Sequence, residues 1–207
     1  MNNNSYVAQK EVSPILRIIA ACILIAFYSF YLARLIIQKK QRIRTNQMGK
    51  GNKPAKVLWV ERITALATAC TLVASIGSVF FAKPQGAVAL VVMGILTGLL
   101  AVVIFAAATL TLNQNWRVGI PEEKTQLVTH GIYRISRNPA FVGFNLLHLS
   151  MCLLLPNLPL ILLNLWTAVM LHLQILQEEA HLCHTFGEAY VAYSQRTCRY
   201  LGWKRAV

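Results

Sequence analysis

Aspartate is absent from the 207 residues, and the only acidic groups are seven glutamates, so any mechanism that needs an aspartate nucleophile, dyad or triad is excluded. Charge of either sign is scarce, at 13% of residues against 56% hydrophobic, and the mean hydropathy is +0.51. That balance lies outside the range of soluble domains and points to a membrane protein. The five cysteines, Cys22, Cys70, Cys152, Cys183 and Cys198, are odd in number and never form Cys-x-x-Cys. Three of them lie in apolar runs, where a thiol acts as a small hydrophobe, so a disulfide framework is not expected. No internal repeat, low-complexity tract or Gly-x-Gly-x-x-Gly phosphate loop is found, although the last absence weighs little in a membrane fold. The polar start MNNNSYVAQKEVSP leads into an apolar run too long for a signal-peptide core and without a small-residue cleavage pattern, so the first segment is expected to be retained.

The dominant positive feature is a series of long apolar runs. Crossing the hydrocarbon core takes about 20 apolar residues, and in lipid the backbone must satisfy its own hydrogen bonds, so such runs read as helices. Five are expected, at residues 15–37, 57–81, 87–112, 140–155 and 158–175, the last two shorter and joined by the tight turn PNLP. The fold class is therefore all-α, a polytopic membrane protein with about five transmembrane helices and a helical C-terminal tail. Arg17 and Arg34, near the ends of the first run, are placed to snorkel to headgroups. Gly94 and Gly98 form Gly-x-x-x-Gly in the third run, which suits close helix packing within the chain or a dimer seam and leaves the oligomeric state open.

The 20 Lys and Arg against seven acids give a net charge of +13. The basic residues sit mostly in loops, above all in residues 38–56, where membrane topology and anionic lipid account for them without a nucleic-acid partner. With that loop cytoplasmic, the N-terminus lies outside, whereas the 113–139 segment and the tail after Gln177 lie inside. Trp59, Trp116 and Trp203 then fall near the inner interface as anchors. The chain divides into a three-helix part, 1–112, and a second part, 113–207, built on the hairpin 140–176.

Three polar clusters of the second part share the inner face: His130-Gly131, then Arg137-Asn138-Pro139-Ala140-Phe141, then Glu178-Glu179. Adjacent carboxylates at a membrane exit cost several kcal/mol to bury unless cations or donors answer them. A hairpin of the last two helices brings Arg137 and the glutamates to one end. Pro139 fits the first turn of a helix, whose open N-terminus suits a carboxylate, while the glutamates suit an ammonium or hydroxyls. Other readings remain: Arg134 and Arg137 as lipid-phosphate anchors, and the glutamates as a solvated helix end. Glu178, His181, Cys183 and His184 are metal-ligand types at helical spacing, but no second cluster supplies a clear fourth ligand and no metal is expected. His148 and His172 lie inside apolar helices, as interhelical contacts or as part of a substrate tunnel.

The order His-Gly, Arg-x-Pro-x-aromatic, Glu-Glu and FGEAYVAY resembles the isoprenylcysteine carboxyl methyltransferase and phospholipid N-methyltransferase superfamily of integral membrane methyltransferases. The likeness covers residues 125–203; earlier helices match only in number and hydropathy. It implies that S-adenosyl-L-methionine is enclosed by His130, Gly131, Tyr133, Arg137, Asn138, Pro139, Phe141, Glu178 and Glu179. Two positions depart from the family pattern: Asn138 stands where a histidine is usual, and Phe141 where a tyrosine is usual. Arg137, Arg196 and Glu179 are the candidates for the chemistry, and Tyr190, Tyr193 and Arg199, with His148 and His172, for the substrate. The implied reaction is methyl transfer to a membrane lipid or other apolar acceptor, through a carboxylate (isoprenylcysteine-like) or a thiol, with a phosphatidylethanolamine-type amine as the alternative. A non-catalytic membrane scaffold or transporter subunit, and a sterol-reductase-like enzyme using a nicotinamide cofactor, are the competing readings. The expected location is a bacterial inner membrane with the active site cytoplasmic.

Overall fold

The computed structural model describes residues 3–82, 87–123 and 125–202, with side chains from residue 14 onward. Among the described residues six α-helices form: α1 (Asn3–Lys40), α2 (Ala55–Phe81), α3 (Val88–Leu112), α4 (Pro139–Leu154), α5 (Leu158–Phe186) and α6 (Glu188–Arg196). Among the described residues there is no strand, only a single parallel bridge between Asn46 and Val118. Four helices, α1, α2, α3 and α5, are long and apolar enough to cross a membrane, and α4 is a shorter apolar helix of 16 residues. The chain is thus an all-α polytopic membrane protein, as its hydropathy implies. Trp203 and the link residues 83–86 lie outside the described residues.

The helices are inverted relative to those of a soluble bundle. On α2 the buried positions are Glu61, Thr64, Ala67, Thr71, Ser75 and Ser78, while Leu66, Val73, Ile76 and Phe80 face outward. Lipid is as apolar as leucine, so helices associate through small residues and hydroxyls rather than by hiding hydrophobes. Two close packings result. Helix α2 lies along α5, with Thr71 Oγ1 and Thr167 Oγ1 2.7 Å apart and Asn157 Nδ2 donating to Ser78 Oγ at 2.9 Å. Helix α3 lies along α4, where Ser150 Oγ donates to Gly94 O at 2.6 Å. The Gly94 and Gly98 notch is filled by Leu154 and Ser150 of the same chain, together with Ile23 of α1. Contacts across the seam between these pairs, α1 to α2 and α4 to α5, are far sparser.

Arg17 and Arg34 turn inward rather than toward headgroups. Arg17 donates to Phe80 O and Ala82 O at the end of α2, and Arg34 to Thr109 O and Asn113 O at the end of α3. The last carbonyls of a helix lack partners and carry the negative end of its dipole, so a guanidinium serves them better than it serves water. Trp116 also departs from the anchor role. It is 3% exposed and stands edge-on to Tyr31 at 5.7 Å, in an aromatic cluster with Phe27, Phe105 and Phe144. Trp59 is exposed, as an anchor requires.

Helix α5 runs well past the apolar stretch. Residues 176–186 contain no breaker, so the helix continues until Gly187, whose φ of 52° ends it. Glu178 and Glu179 are therefore held on a rigid helix instead of in a loose tail.

A side chain at Gly98 tests the α3–α4 packing. An added Cβ would lie 2.6 Å from Ser150 Oγ and 2.7 Å from Ile23 Cδ1, so Gly98→Leu should destabilise by about 1–3 kcal/mol through overpacking. Thermal unfolding in detergent, with Gly77→Leu as the control where an added Cβ meets nothing within 4 Å, measures the difference.

Candidate functional site

At the end of the bundle that carries the basic loop, three separated segments close around one carboxylate. Asn138 precedes α4, whose first residue is Pro139, and its side chain does not cap the helix. Instead Asn138 Nδ2 donates to Glu179 Oε1 at 2.8 Å and to Arg199 O at 3.2 Å. Arg199 grips Glu179 Oε2 through Nε and Nη2 at 3.0 and 2.9 Å, and Arg137 Nη2 lies 3.3 Å from Oε1. Glu179 is 8% exposed, so these donors offset the cost of a buried charge. The tail is also held by backbone bonds, Arg137 N to Cys198 O at 2.9 Å and Gly202 N to Ile135 O at 3.3 Å. Tyr200 OH completes the strap, 2.6 Å from His172 Nδ1.

Glu178 points elsewhere. Successive residues of a helix differ by about 100°, so the neighbour of the strapped glutamate faces the interior. Glu178 Oε1 accepts from Gln174 Nε2 at 3.0 Å, and its side chain lines two cavities. One is a cleft of about 140 Å³ of mixed character, where Arg137, Asn138, Tyr133, Tyr193 and His181 set polar groups among apolar side chains such as Leu112, Ile120 and Leu182. The other is an apolar chamber of about 320 Å³ at the seam of the helix pairs. Its two sides differ: Tyr28, Tyr31, Phe105 and Phe144 form an aromatic wall, and Ala65, Thr68 and Ala69 of α2 a low one. The cavities share Trp116, Arg117, Gly119, Ala140, Phe141 and Glu178.

A second buried carboxylate organises the loops over the chamber. Glu61 has no exposure and pairs with Lys53 at 2.8 Å, while accepting from Gly49 N at 2.7 Å and Ile120 N at 2.8 Å. Residues 45–47 bond to Val118 in both directions at 2.9 Å, and Glu122 N donates to Gln47 Oε1 at 3.0 Å. Gly119, with φ 86°, sits where a Cβ would be 2.8 Å from Met48 Cα, so only glycine fits the crossing. The hydropathy pattern marks this loop as basic and topogenic; its part in walling the chamber depends on long-range pairing that no local spacing announces.

Of the residues singled out by the motif, Tyr133, Arg137, Asn138, Phe141, Glu178 and Tyr193 line the cleft. Pro139 and Glu179 lie behind it, setting its walls. His130 is exposed, and its carbonyl accepts from Tyr133 N at 3.1 Å to start a short turn. Gly131 has φ 59° and rests on Thr111 of α3. Tyr193 OH donates to Tyr133 O at 2.7 Å. Tyr190 is buried, its hydroxyl has no partner among the described residues, and burial, with Glu179 nearby, pushes its pKa up to about 12. The Tyr190 hydroxyl therefore keeps its proton near neutral pH. Arg196 is exposed at the end of α6 and lines neither cavity. His148 is buried in α4 with both ring nitrogens unpartnered among the described residues, and neither it nor His172 reaches a cavity wall. Among the described residues no three His, Cys, Asp or Glu side chains are grouped to hold a metal.

The family model of phospholipid methyltransferases matches residues 87–189, from the start of α3 to the start of α6. This stretch belongs to that family. The match contains the Arg137 to Phe141 turn, the tandem glutamates and all six residues common to the two cavities. Membership brings methyltransferase activity toward lipid as the general chemistry of the family, and S-adenosylmethionine as its general methyl donor. Helices α1 and α2 and the loop between them lie outside the match, although together they supply about half of the residues lining the chamber. No curated protein sequence matches the chain.

Glu61 offers a test of the loop architecture. Glu61→Ala leaves Lys53, 5% exposed, as a buried uncompensated charge, for which a loss of about 3–5 kcal/mol is expected. Chemical denaturation should register it, and limited proteolysis should show new cleavage in residues 41–54; an unchanged midpoint and digestion pattern would contradict this account.

Proposed function

We propose that the chain is an integral membrane methyltransferase that binds S-adenosylmethionine in the smaller, mixed cleft and a lipophilic acceptor in the apolar chamber. The observation that carries the reading is the common wall: the two cavities meet at Ala140, Phe141 and Glu178. A polar donor arriving from water and an apolar acceptor arriving from lipid can be brought together only at such a junction.

The residues of the cleft suit the donor molecule. Arg137 Nε is a buried donor without a partner among the described residues. Ala140 and Phe141 lie in the first turn of α4, where backbone N–H groups have no intrahelical acceptor, and the side chain of Asn138 leaves them uncapped. Together they would hold a carboxylate, helped by the helix dipole. Glu178 would accept from an ammonium or from ribose hydroxyls, and the rings of Phe141 and Trp116 give an apolar face. Asn138 fills the place where the family pattern has a histidine by spending its amide on Glu179 and Arg199 O, a task that needs no titratable group. When bound, S-adenosylmethionine would supply an electrophilic sulfonium methyl for an acceptor lone pair, with S-adenosylhomocysteine as the leaving group.

The protein's own contribution is placement. Glu179 and Arg199 act as positioning residues that keep the cleft's floor fixed. For a carboxylate or thiolate acceptor no proton has to move; for an amine, Glu178 is the base within the shared wall. The excess of basic residues at this end supports a cytoplasmic orientation by the positive-inside rule, with the N-terminus outside.

Isothermal titration of the detergent-solubilised protein with S-adenosylhomocysteine tests the cleft. Binding is expected, and Glu178→Gln should weaken it about 10- to 100-fold, the range for a hydrogen bond to a charged group. Incubation with radiolabelled methyl donor and a host lipid extract should label a lipid-soluble product. Absence of binding in the unmodified protein would favour a scaffold that retains the fold without turnover.

A further inference from the structure

Arg117 belongs to neither the motif nor the cluster at Glu179, yet it stands on the wall common to both cavities. Its side chain is 9% exposed. Nη1 donates to Gln114 O at 2.6 Å and to Trp116 O at 3.0 Å, and Nη2 reaches Glu123 Oε2 at 3.3 Å. Nε is buried and has no partner among the described residues. Leaving a charged donor unsatisfied costs more than an ordinary lost hydrogen bond. Its one carboxylate contact is weak compensation, because the Glu123 side chain is 44% exposed and such pairs are screened. A net positive charge therefore remains in the chamber's lining.

Lys50, from the loop held by Glu61, lines the same chamber. Glu178 is the one acid on that wall, and it already accepts from Gln174. The remainder is mostly aromatic and aliphatic. An apolar body with two cations in its lining has a chemical complement: an amphiphile with a single anionic group.

We propose that Arg117 and Lys50 form an anion clamp that holds a phosphate or carboxylate of the acceptor beside the atom to be methylated, while the acceptor's apolar body fills the chamber. The inference rests on the acceptor occupying this chamber, as in the function proposed above. A guanidinium with a fixed fork recognises either oxyanion, and Lys50 adds charge without directional demand. Specificity would then be shared between the family-matched stretch, which contains Arg117, and the first part of the chain, which contains Lys50.

The test uses the full-length protein in maltoside detergent and four probes of equal chain length: dodecyl phosphate, dodecanoate, dodecanol and dodecyltrimethylammonium. Binding is read as saturable change in tryptophan emission, Trp116 being on the chamber wall, with Trp116→Phe removing the signal. An anionic probe should bind about tenfold or more tighter than dodecanol. Preference for phosphate would indicate a phospholipid headgroup, and preference for dodecanoate a carboxylate acceptor. Arg117→Gln should abolish the preference, and Arg117→Lys should recover only part of it. Lys50→Gln, at an exposed position that burdens folding little, should reduce the preference about threefold even if the Arg117 variants fail to fold. Equal binding of dodecanol and the anionic probes, or full preference kept in Lys50→Gln, overturns the clamp. Titration of unmodified protein with S-adenosylhomocysteine is the separate arm: its failure alongside intact anion preference overturns the cofactor reading and leaves the clamp standing.

Discussion

A carboxylate taken out of water must be answered by donors, and the answer given to Glu179 determines how this end of the protein is built. Asn138, Arg137 and Arg199 converge on it from a helix start and from the chain's last described segment. Remove the charge and residues 197–202 keep only neutral ties to the rest of the chain, among them backbone bonds to Ile135 and Arg137, the Asn138 amide on Arg199 O and the Tyr200 contact with His172. The same rule operates at Glu61, where Lys53 and two backbone N–H groups draw together loops from different parts of the sequence. The two carboxylates lie on α2 and α5, the helices that pack side by side. One pair of neighbouring helices thus carries both fixed points around which the loops are arranged.

Orientation of Glu178 follows from that anchoring. A helix has no freedom to rotate one residue without the next, so fixing Glu179 toward the tail commits Glu178 to the interior. Adjacent identical residues consequently have different duties. The first faces both cavities, and the second never meets them.

Much of this was legible in the residues. Apolar runs mark the helices because lipid permits little else, and the order of polar clusters in the second half marks the cleft because the motif is local: Arg137 to Phe141 occupies one helix start. Less visible was the reach of α5, since hydropathy falls at Gln177 while helix propensity does not, and only Gly187 records the true end. Arg17 and Arg34 look like lipid anchors from spacing alone; their use as caps depends on which helix ends lie beside them. Glu61 reads as an ordinary charge at a membrane mouth. Its burial comes from a partner eight residues earlier and an N–H 59 residues later, a relation that glycines at 49 and 119 hint at but do not specify. Arg117 escaped for the same reason, being significant only through the cavities on either side of it.

The chamber opens at the seam where the two tightly packed helix pairs meet sparsely. Glycine notches and hydroxyl bonds bind the members of each pair, and few of these ties cross between the pairs. A molecule held in the chamber would therefore lie along the bundle's weakest joint, as a page lies in a closed book, while the covers and their bindings stay whole.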